Sequence, residues 1–196
     1  MDDEPVQPRD SPYMSNESAA SDPGGVPLDP RRLRQLSPSL FGAGSLLPSR
    51  AIARKSLEAH MWNGDSRAAV VLSVQPLLVA AFSDDFDAVV VLRFDRPPLD
   101  HPVQVGSRLL TVNTYHRGGV VARDIIPGPY GSGAWANFHP VIADFVTADP
   151  GRVERRKAAI SEPEWVRAWN LGQYHLVNQP GQVRDGAPHL SGRPAE

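Results

Sequence analysis

The stretch AAVVLSVQPLLVAAFSDDFDAVVVLRF, residues 68–94, decides the fold. It contains three short apolar runs rich in valine, a composition that favours β-strands. Pro76 and the polar residues 83–85 separate the runs, and proline and aspartate are typical of turns and strand ends. The sequence therefore predicts three strands, at residues 68–73, 77–82 and 88–94.

Two further strands are predicted after an irregular, proline-containing linker. Segments 107–117 and 120–126 flank Gly118-Gly119, a glycine pair that accepts positive φ and so suits the turn of a β-hairpin. Most connections among the five strands are too short for the helical crossovers that parallel neighbours require. The sequence therefore predicts a mostly antiparallel five-stranded meander.

Helices are predicted on both sides of the strands. Apolar residues recur at three- and four-residue spacing over residues 50–62. Asp149-Pro150 is a good N-cap and first-turn pair for a helix through residue 160, and Ser161 begins a capping-box pattern for another. These features predict an α+β fold in which an N-terminal helix and two C-terminal helices pack on the sheet.

Composition excludes several classes of protein. The chain has 196 residues and no cysteine, so a disulfide framework, a thiolate metal site and a cysteine nucleophile are all excluded. No run approaches the roughly 18 apolar residues of a membrane span, and the acidic start lacks the pattern of a secretory signal. We therefore expect a cytoplasmic protein without a membrane partner.

The net charge of −2 conceals two oppositely charged parts. Residues 1–29 hold seven acidic residues and one arginine, whereas the rest of the chain carries 19 basic and 15 acidic residues. The acidic part is also rich in proline and poor in aliphatic side chains, a composition typical of disorder. We expect a disordered tail at residues 1–30, one α+β domain at 31–177 and a second disordered tail at 178–196.

The candidates for catalysis lie around a histidine that follows a glycine-rich stretch. Histidine titrates near neutral pH, and asparagine, aspartate or tyrosine can orient it or bind a substrate. Pro140 favours extended backbone before it, so the histidine and Asp144 need not share a helix face, and a structural histidine is the simpler interpretation. The candidate set is His139, His116, Asp144, Asn137 and Tyr115.

No metal or cofactor is expected. The six histidines lack the spacing of a zinc hydrolase. Asp84, Asp85 and Asp87 lack the register of a calcium loop, and turn chemistry between two strands explains them better. The glycine-rich stretch around Gly131 is neither a Walker loop nor a dinucleotide fingerprint.

The candidates for partner binding belong to two segments. Tyr130 and Trp135 lie in the glycine-rich stretch, where an exposed aromatic residue would anchor a partner, although tryptophan is more often part of a core. Arg152, Arg155 and Arg156 lie on a predicted helix beside Lys157, and a solvated helix face is the simpler interpretation of that charge run. Because the charges are opposite, we expect the acidic tail to lie transiently over this helix.

The sequence favours an interaction or binding module without catalytic activity of its own. No catalytic motif is found, and the polar tails and the tryptophan-bearing loop suit recognition of a protein partner. The alternative is a small cysteine-free enzyme, such as a hydrolase, that uses His139 or His116 with Asp144. Weak nucleic-acid binding through residues 152–157 ranks third, since the arginines are scattered along the chain.

Overall fold

The computed structural model describes Ala20 and residues 22–41, 48–95 and 102–188. Within these ranges the chain has an α+β fold with five α-helices and a six-stranded sheet. The helices are α1 (Pro30–Leu36), α2 (Pro48–Asn63), α3 (Ala143–Val146), α4 (Pro150–Ala159) and α5 (Glu162–Asn178), and a 3₁₀ turn covers Pro38–Leu40. The strands are β1 (Asp65–Val74), β2 (Leu77–Ser83), β3 (Ala88–Phe94), β4 (Arg108–His116), β5 (Asn137–Ile142) and β6 (Arg184–Asp185).

The three strands predicted within residues 68–94 are confirmed, and they form an antiparallel meander, β1-β2-β3. The chain turns between β1 and β2 at Gln75-Pro76. Proline has no N–H to donate, but at this turn the sheet needs no hydrogen bond from it. The acidic residues between β2 and β3 also form a turn, in which the Asp87 N–H donates to the Asp84 carbonyl at 3.0 Å. The turn interpretation of this acidic stretch is therefore confirmed.

The hairpin predicted at Gly118-Gly119 is wrong. Residues 120–126 form a loop, and β4 pairs instead with β5, from Thr111↔Ile142 to His116↔Asn137. Val120 in the loop is 85 % exposed. Valine favours a strand mainly because its side chain packs on a partly buried sheet surface, and this position offers no such surface. The strand that does form contains Pro140, which is tolerated because β5 is an edge strand.

The sheet is mixed and curled, which corrects the five-stranded antiparallel prediction. Its order is β5-β4-β1-β2-β3-β6, and β6 runs parallel to β3. Arg184 on the edge strand β6 reaches the opposite edge, where its Nη1 donates to the Phe138 carbonyl at 2.7 Å and its Nη2 to Asn137 Oδ1 at 2.8 Å. One side chain contacts both edge strands only because the sheet curls.

Helix α5 covers one face of the β1-β2-β3 meander. Trp165 and Ala168 are buried there among apolar side chains of the three strands. At Gly172 an added Cβ would lie 2.7 Å from Leu72 Cδ2 and 2.8 Å from Ala80 Cβ, so only glycine permits this close approach. Among the described residues, no helix combines the length and apolar character that crossing a membrane requires.

The folded domain begins before residue 31. Residues 1–19 and 21 of the expected tail lie outside the described part of the chain, but residues 22–29 pack on the domain. The Gly25 N–H donates to the Trp62 carbonyl at 2.9 Å, and Val26 is buried in the core. The segment thereby satisfies carbonyl groups at the C-terminal end of α2 that would otherwise lack partners. Segment 22–29 contacts the domain mainly through its backbone, so its polar composition does not reveal that it belongs to the domain.

The folded domain also extends beyond residue 177. Helix α5 ends at Asn178, and the chain returns to the sheet as β6. The Gly186 N–H then donates to the Arg93 carbonyl at 2.8 Å, and Pro188 is buried. Residues 178–188 therefore belong to the domain and not to a tail, while residues 189–196 lie outside the described ranges.

Candidate functional site

The residues predicted for catalysis do not converge on one point. His139 pairs with Thr114 across β4 and β5, whereas the Asp144 carboxylate accepts the N–H of Leu110 at 2.7 Å. Thr114 and Leu110 are four positions apart on β4, which corresponds to about 13 Å along a strand. The second oxygen of Asp144 accepts a hydrogen bond from Lys157 Nζ at 2.9 Å. Asp144 therefore holds α4 on β4 and does not orient His139.

The two predicted histidines differ in environment. His116 lies at the exposed end of β4. His139 is half-buried on β5, and burial and the charge of Arg184 lower its pKa to about 3. A catalytic acid or base works best with a pKa near the operating pH, so the geometry favours a structural role for His139.

A more deeply buried histidine, His60, lies near the end of α2. Sequence spacing places it on the apolar stripe of this helix but assigns it no role. Its Nε2 lies 2.7 Å from the Val112 carbonyl, and its Nδ1 lies 3.2 Å from Thr114 Oγ1. Because a carbonyl oxygen only accepts, Nε2 carries the proton in the neutral ring. Burial lowers the pKa of His60 to about 4, so the ring is an uncharged part of the core at neutral pH.

Tyr115 and Asn137 contribute to the packing of the curled sheet. The Ser83 hydroxyl donates to the Tyr115 hydroxyl at 3.1 Å, and burial raises the pKa of this phenol further above its usual value. Asn137 Oδ1 accepts a hydrogen bond from Arg184. Asp144 is thus separated from His139, whereas His116 and Asn137 are partners in the register of β4 and β5.

The glycine-rich loop does not present Trp135 to solvent. Trp135 is 7 % exposed, its ring centroid lies 5.5 Å from that of Tyr115, and the Arg117 guanidinium lies 5.2 Å from the indole centroid. The loop folds back on the β2-β3 turn, where the Ser132 N–H donates to the Asp85 carbonyl at 2.7 Å. Trp135 is therefore not an exposed anchor, whereas Tyr130 in the same loop is 82 % exposed.

The arginines of α4 line a cleft that we name the arginine cleft. Asp149 caps α4 by accepting the Arg152 N–H at 2.9 Å, and helical spacing places positions 152, 155, 156 and 159 on one face. Trp62, at the C-terminal end of α2, faces the same space. The cleft has a volume of about 650 Å³ and is lined by Pro23, Gly25, Trp62, Asn63, Arg152, Arg155, Arg156 and Ala159.

The three guanidinium groups differ in their contacts. Arg152 donates to the Gly25 carbonyl and lies 5.6 Å from the centroid of the Trp62 ring. Arg156 forms an ion pair with Asp22. Arg155 has neither a hydrogen bond nor an ion pair within the described part of the chain. The cleft therefore offers one guanidinium whose donors are not engaged.

The contacts of α4 refine two predictions about its charge run. Lys157 pairs with Asp144 at 2.9 Å and does not line the cleft, so residues 152–157 do not act as one basic patch. Asp22 belongs to the acidic segment that we expect to lie over this helix, and its ion pair with Arg156 is one contact between that segment and α4. Contact by residues 1–19 lies outside the described ranges and stays a prediction.

Neither a metal site nor a relative supplies a function. Across residues 22–41, 48–95 and 102–188, no group of three or more histidine, aspartate or glutamate side chains is placed to hold a metal ion. Comparison with protein-family models, with curated proteins and with solved structures gives no match for this chain.

Proposed function

We propose that the chain is a binding module that holds an anionic ligand group in the arginine cleft. The observation that carries the proposal is the guanidinium of Arg155, which lines the cleft with those of Arg152 and Arg156 and is not engaged by any described residue. A guanidinium presents a planar fork of N–H donors that matches the oxygens of a phosphate or carboxylate. Three such groups on one helix face favour a ligand with several anionic oxygens.

The cleft keeps a positive charge after its internal pairs are counted. Its three arginines face two carboxylates: that of Asp22, paired with Arg156, and that of Asp149, whose Oδ2 lies 3.7 Å from Arg152 Nε. The surplus of one positive charge belongs to Arg155. A ligand that binds Arg155 does not have to displace a partner from the described part of the chain, which lowers the free-energy cost of binding.

The enzyme alternative receives less support from the geometry. It needs Asp144 beside His139 or His116, but Asp144 is engaged by Lys157 and by the backbone of β4. A protein partner and a cytoplasmic location remain predictions from the sequence. The cleft adds the requirement that the partner present an anionic group.

Titration of the full chain with inorganic phosphate tests the proposal. We expect saturable shifts of the arginine side-chain N–H resonances in ¹H–¹⁵N spectra at low ionic strength. Arg155→Gln should weaken phosphate binding up to about fivefold, because an ion pair at a solvent-exposed site contributes up to about 1 kcal/mol.

Arg123→Gln is the matched control. Arg123 carries the same charge and is exposed, but it does not line the cleft, so its substitution should leave the phosphate affinity unchanged. Equal weakening by both substitutions would indicate general charge attraction and would contradict the proposal. Absence of saturable phosphate binding would contradict it as well.

A further inference from the structure

We infer that the ligand of the arginine cleft is a nucleotide unit whose base stacks on Trp62 while its phosphate binds Arg155. The inference rests on the proposed function, because it assigns a ligand to the same cleft. Trp62 is 53 % exposed, although tryptophan is a residue type that is largely buried on average. An exposed indole beside guanidinium groups combines two features of single-strand recognition, an aromatic stacking surface and phosphate-binding cations.

The lining of the cleft distinguishes a nucleotide from an acidic peptide. Trp62 and Arg155 both line it, and because the Arg152 guanidinium lies 5.6 Å from the centroid of the Trp62 ring, the base would stack on the indole surface that remains exposed. A nucleotide has a planar base and an anionic phosphate in one unit, so it can contact Trp62 and Arg155 together. An acidic peptide side chain would bind the guanidinium but would not use the exposed indole surface.

The size and the construction of the cleft agree with a ligand of this kind. Its volume of about 650 Å³ lies within the range of about 300–1,000 Å³ that is typical of small-molecule sites. Trp62 is fixed at the end of α2, where its carbonyl accepts the Gly25 N–H. Arg152, on the same helix as Arg155, binds the Gly25 carbonyl. The backbone of Gly25 therefore contacts two residues that line the cleft, one from each helix.

The fold gives more weight to a nucleotide or nucleic-acid partner than the sequence does. Along the chain the arginines are scattered, which disfavours nucleic acid. In the structure three of them lie beside a tryptophan that comes from another helix. The base and phosphate could belong to a free nucleotide or to a single strand of RNA or DNA, since both present the same chemistry to the cleft.

The test compares four probes on the full chain: inorganic phosphate, AMP, a tetranucleotide of adenosine and hexaglutamate. The Trp62 indole N–H resonance, assigned by its loss in Trp62→Phe, reports on stacking. We expect AMP to bind about tenfold more tightly than phosphate. Trp62→Ala should remove this difference and change the phosphate affinity by less than about twofold.

Tyr174→Ala is the matched control for the aromatic substitution. Tyr174 is 54 % exposed on α5 and does not line the cleft, so its loss should leave the affinities for all four probes unchanged. Tighter binding of the tetranucleotide with a steep salt dependence would support a nucleic-acid strand. Equal affinities for AMP and the tetranucleotide would support a free nucleotide.

Three results would overturn the inference. AMP should bind more tightly than phosphate only if the base contributes, so equal affinities for these two probes would refute stacking. Equal weakening of both by Trp62→Ala would refute it too, as would tighter binding of hexaglutamate than of AMP. In each case phosphate binding that depends on Arg155 would still support the proposed function, whereas loss of all saturable phosphate binding would contradict that function itself.

Discussion

Acidification should destabilise the fold through His60. Burial lowers the pKa of His60 to about 4, against 6.5 for an unburied imidazole. Between these values the unfolded chain binds a proton that the folded chain does not bind, so the free energy of unfolding falls as the pH falls. The stabilising contribution is fully present above pH 6.5 and is lost as the pH falls through the folded pKa of about 4.

The magnitude follows from the size of the shift. Since one pKa unit corresponds to about 1.4 kcal/mol, a shift from 6.5 to about 4 corresponds to about 3 kcal/mol of stability. His139 acts in the same direction, because its pKa is lowered to about 3. Asp65 acts in the opposite direction, because burial raises its pKa to about 7 and the folded chain takes up that proton first. A comparison of two proteins that differ only at His60 removes these other contributions.

The comparison uses His60→Gln, which keeps an N–H donor for the Val112 carbonyl but does not titrate. Urea unfolding of both proteins at pH 6.5, 5.5 and 4.5 is followed by tryptophan fluorescence. We expect the stability of the unmodified chain to fall more steeply than that of the variant, by about 1 kcal/mol per pH unit over this range. Parallel slopes would refute the reasoning. Should His60→Gln not fold, an NMR titration of the His60 ring in the unmodified chain measures the same pKa directly.

Two further substitutions test the cleft and the curled sheet. Asp22→Asn should strengthen phosphate binding about two- to fivefold, because it releases the Arg156 guanidinium from a pair of the kind that contributes about 0.2–1 kcal/mol; an unchanged affinity in the phosphate titration would contradict this. Arg184→Ala should lower the free energy of unfolding in urea by about 3 kcal/mol, because it leaves the carboxylate of Asp124 without its ion pair and breaks the contacts between the sheet edges. A loss below about 1 kcal/mol would show that the edges hold together without Arg184.

The central strands and the long helices are predictable because their signals are local. Each run within residues 68–94 is apolar and ends at a turn residue. Helix α4 begins where Asp149 and Pro150 predict, with the aspartate carboxylate accepting the Arg152 N–H. In both cases the residues that determine the element are contained within it or adjacent to it.

The edge strands are not predictable in the same way because tertiary contacts select them. Segment 120–126 has the better strand composition, yet it lies in a loop, whereas β5 forms with Pro140 in its middle. β6 has only two residues, too few to show any alternation. Its place in the sheet depends on the pairing with β3 and on the contacts of Arg184 with β5.

The arginine half of the candidate site can be predicted from the sequence. The spacing of Arg152, Arg155 and Arg156 already places these side chains on one face of a helix. The aromatic half is not visible, because Trp62 and Trp135 are both tryptophans near glycine, and only the fold exposes the first and buries the second. No local pattern connects Trp62 with an arginine about ninety residues later in the chain.

The segment that joins these two halves is the one that composition assigns to a disordered tail. The backbone of Gly25 binds both helices, since its N–H donates to the Trp62 carbonyl and its carbonyl accepts from Arg152. Three residues earlier in the chain, Asp22 places a carboxylate on Arg156, so the same segment that contacts Trp62 and Arg152 also reduces the positive charge of the cleft. The Asp22→Asn substitution separates these effects, because it removes the charge and leaves the backbone contacts of Gly25 in place. An increase in phosphate affinity with a loss of stability of no more than about 1 kcal/mol, the contribution of the ion pair itself, would therefore mean that the segment builds the cleft and at the same time limits how strongly an anion binds there.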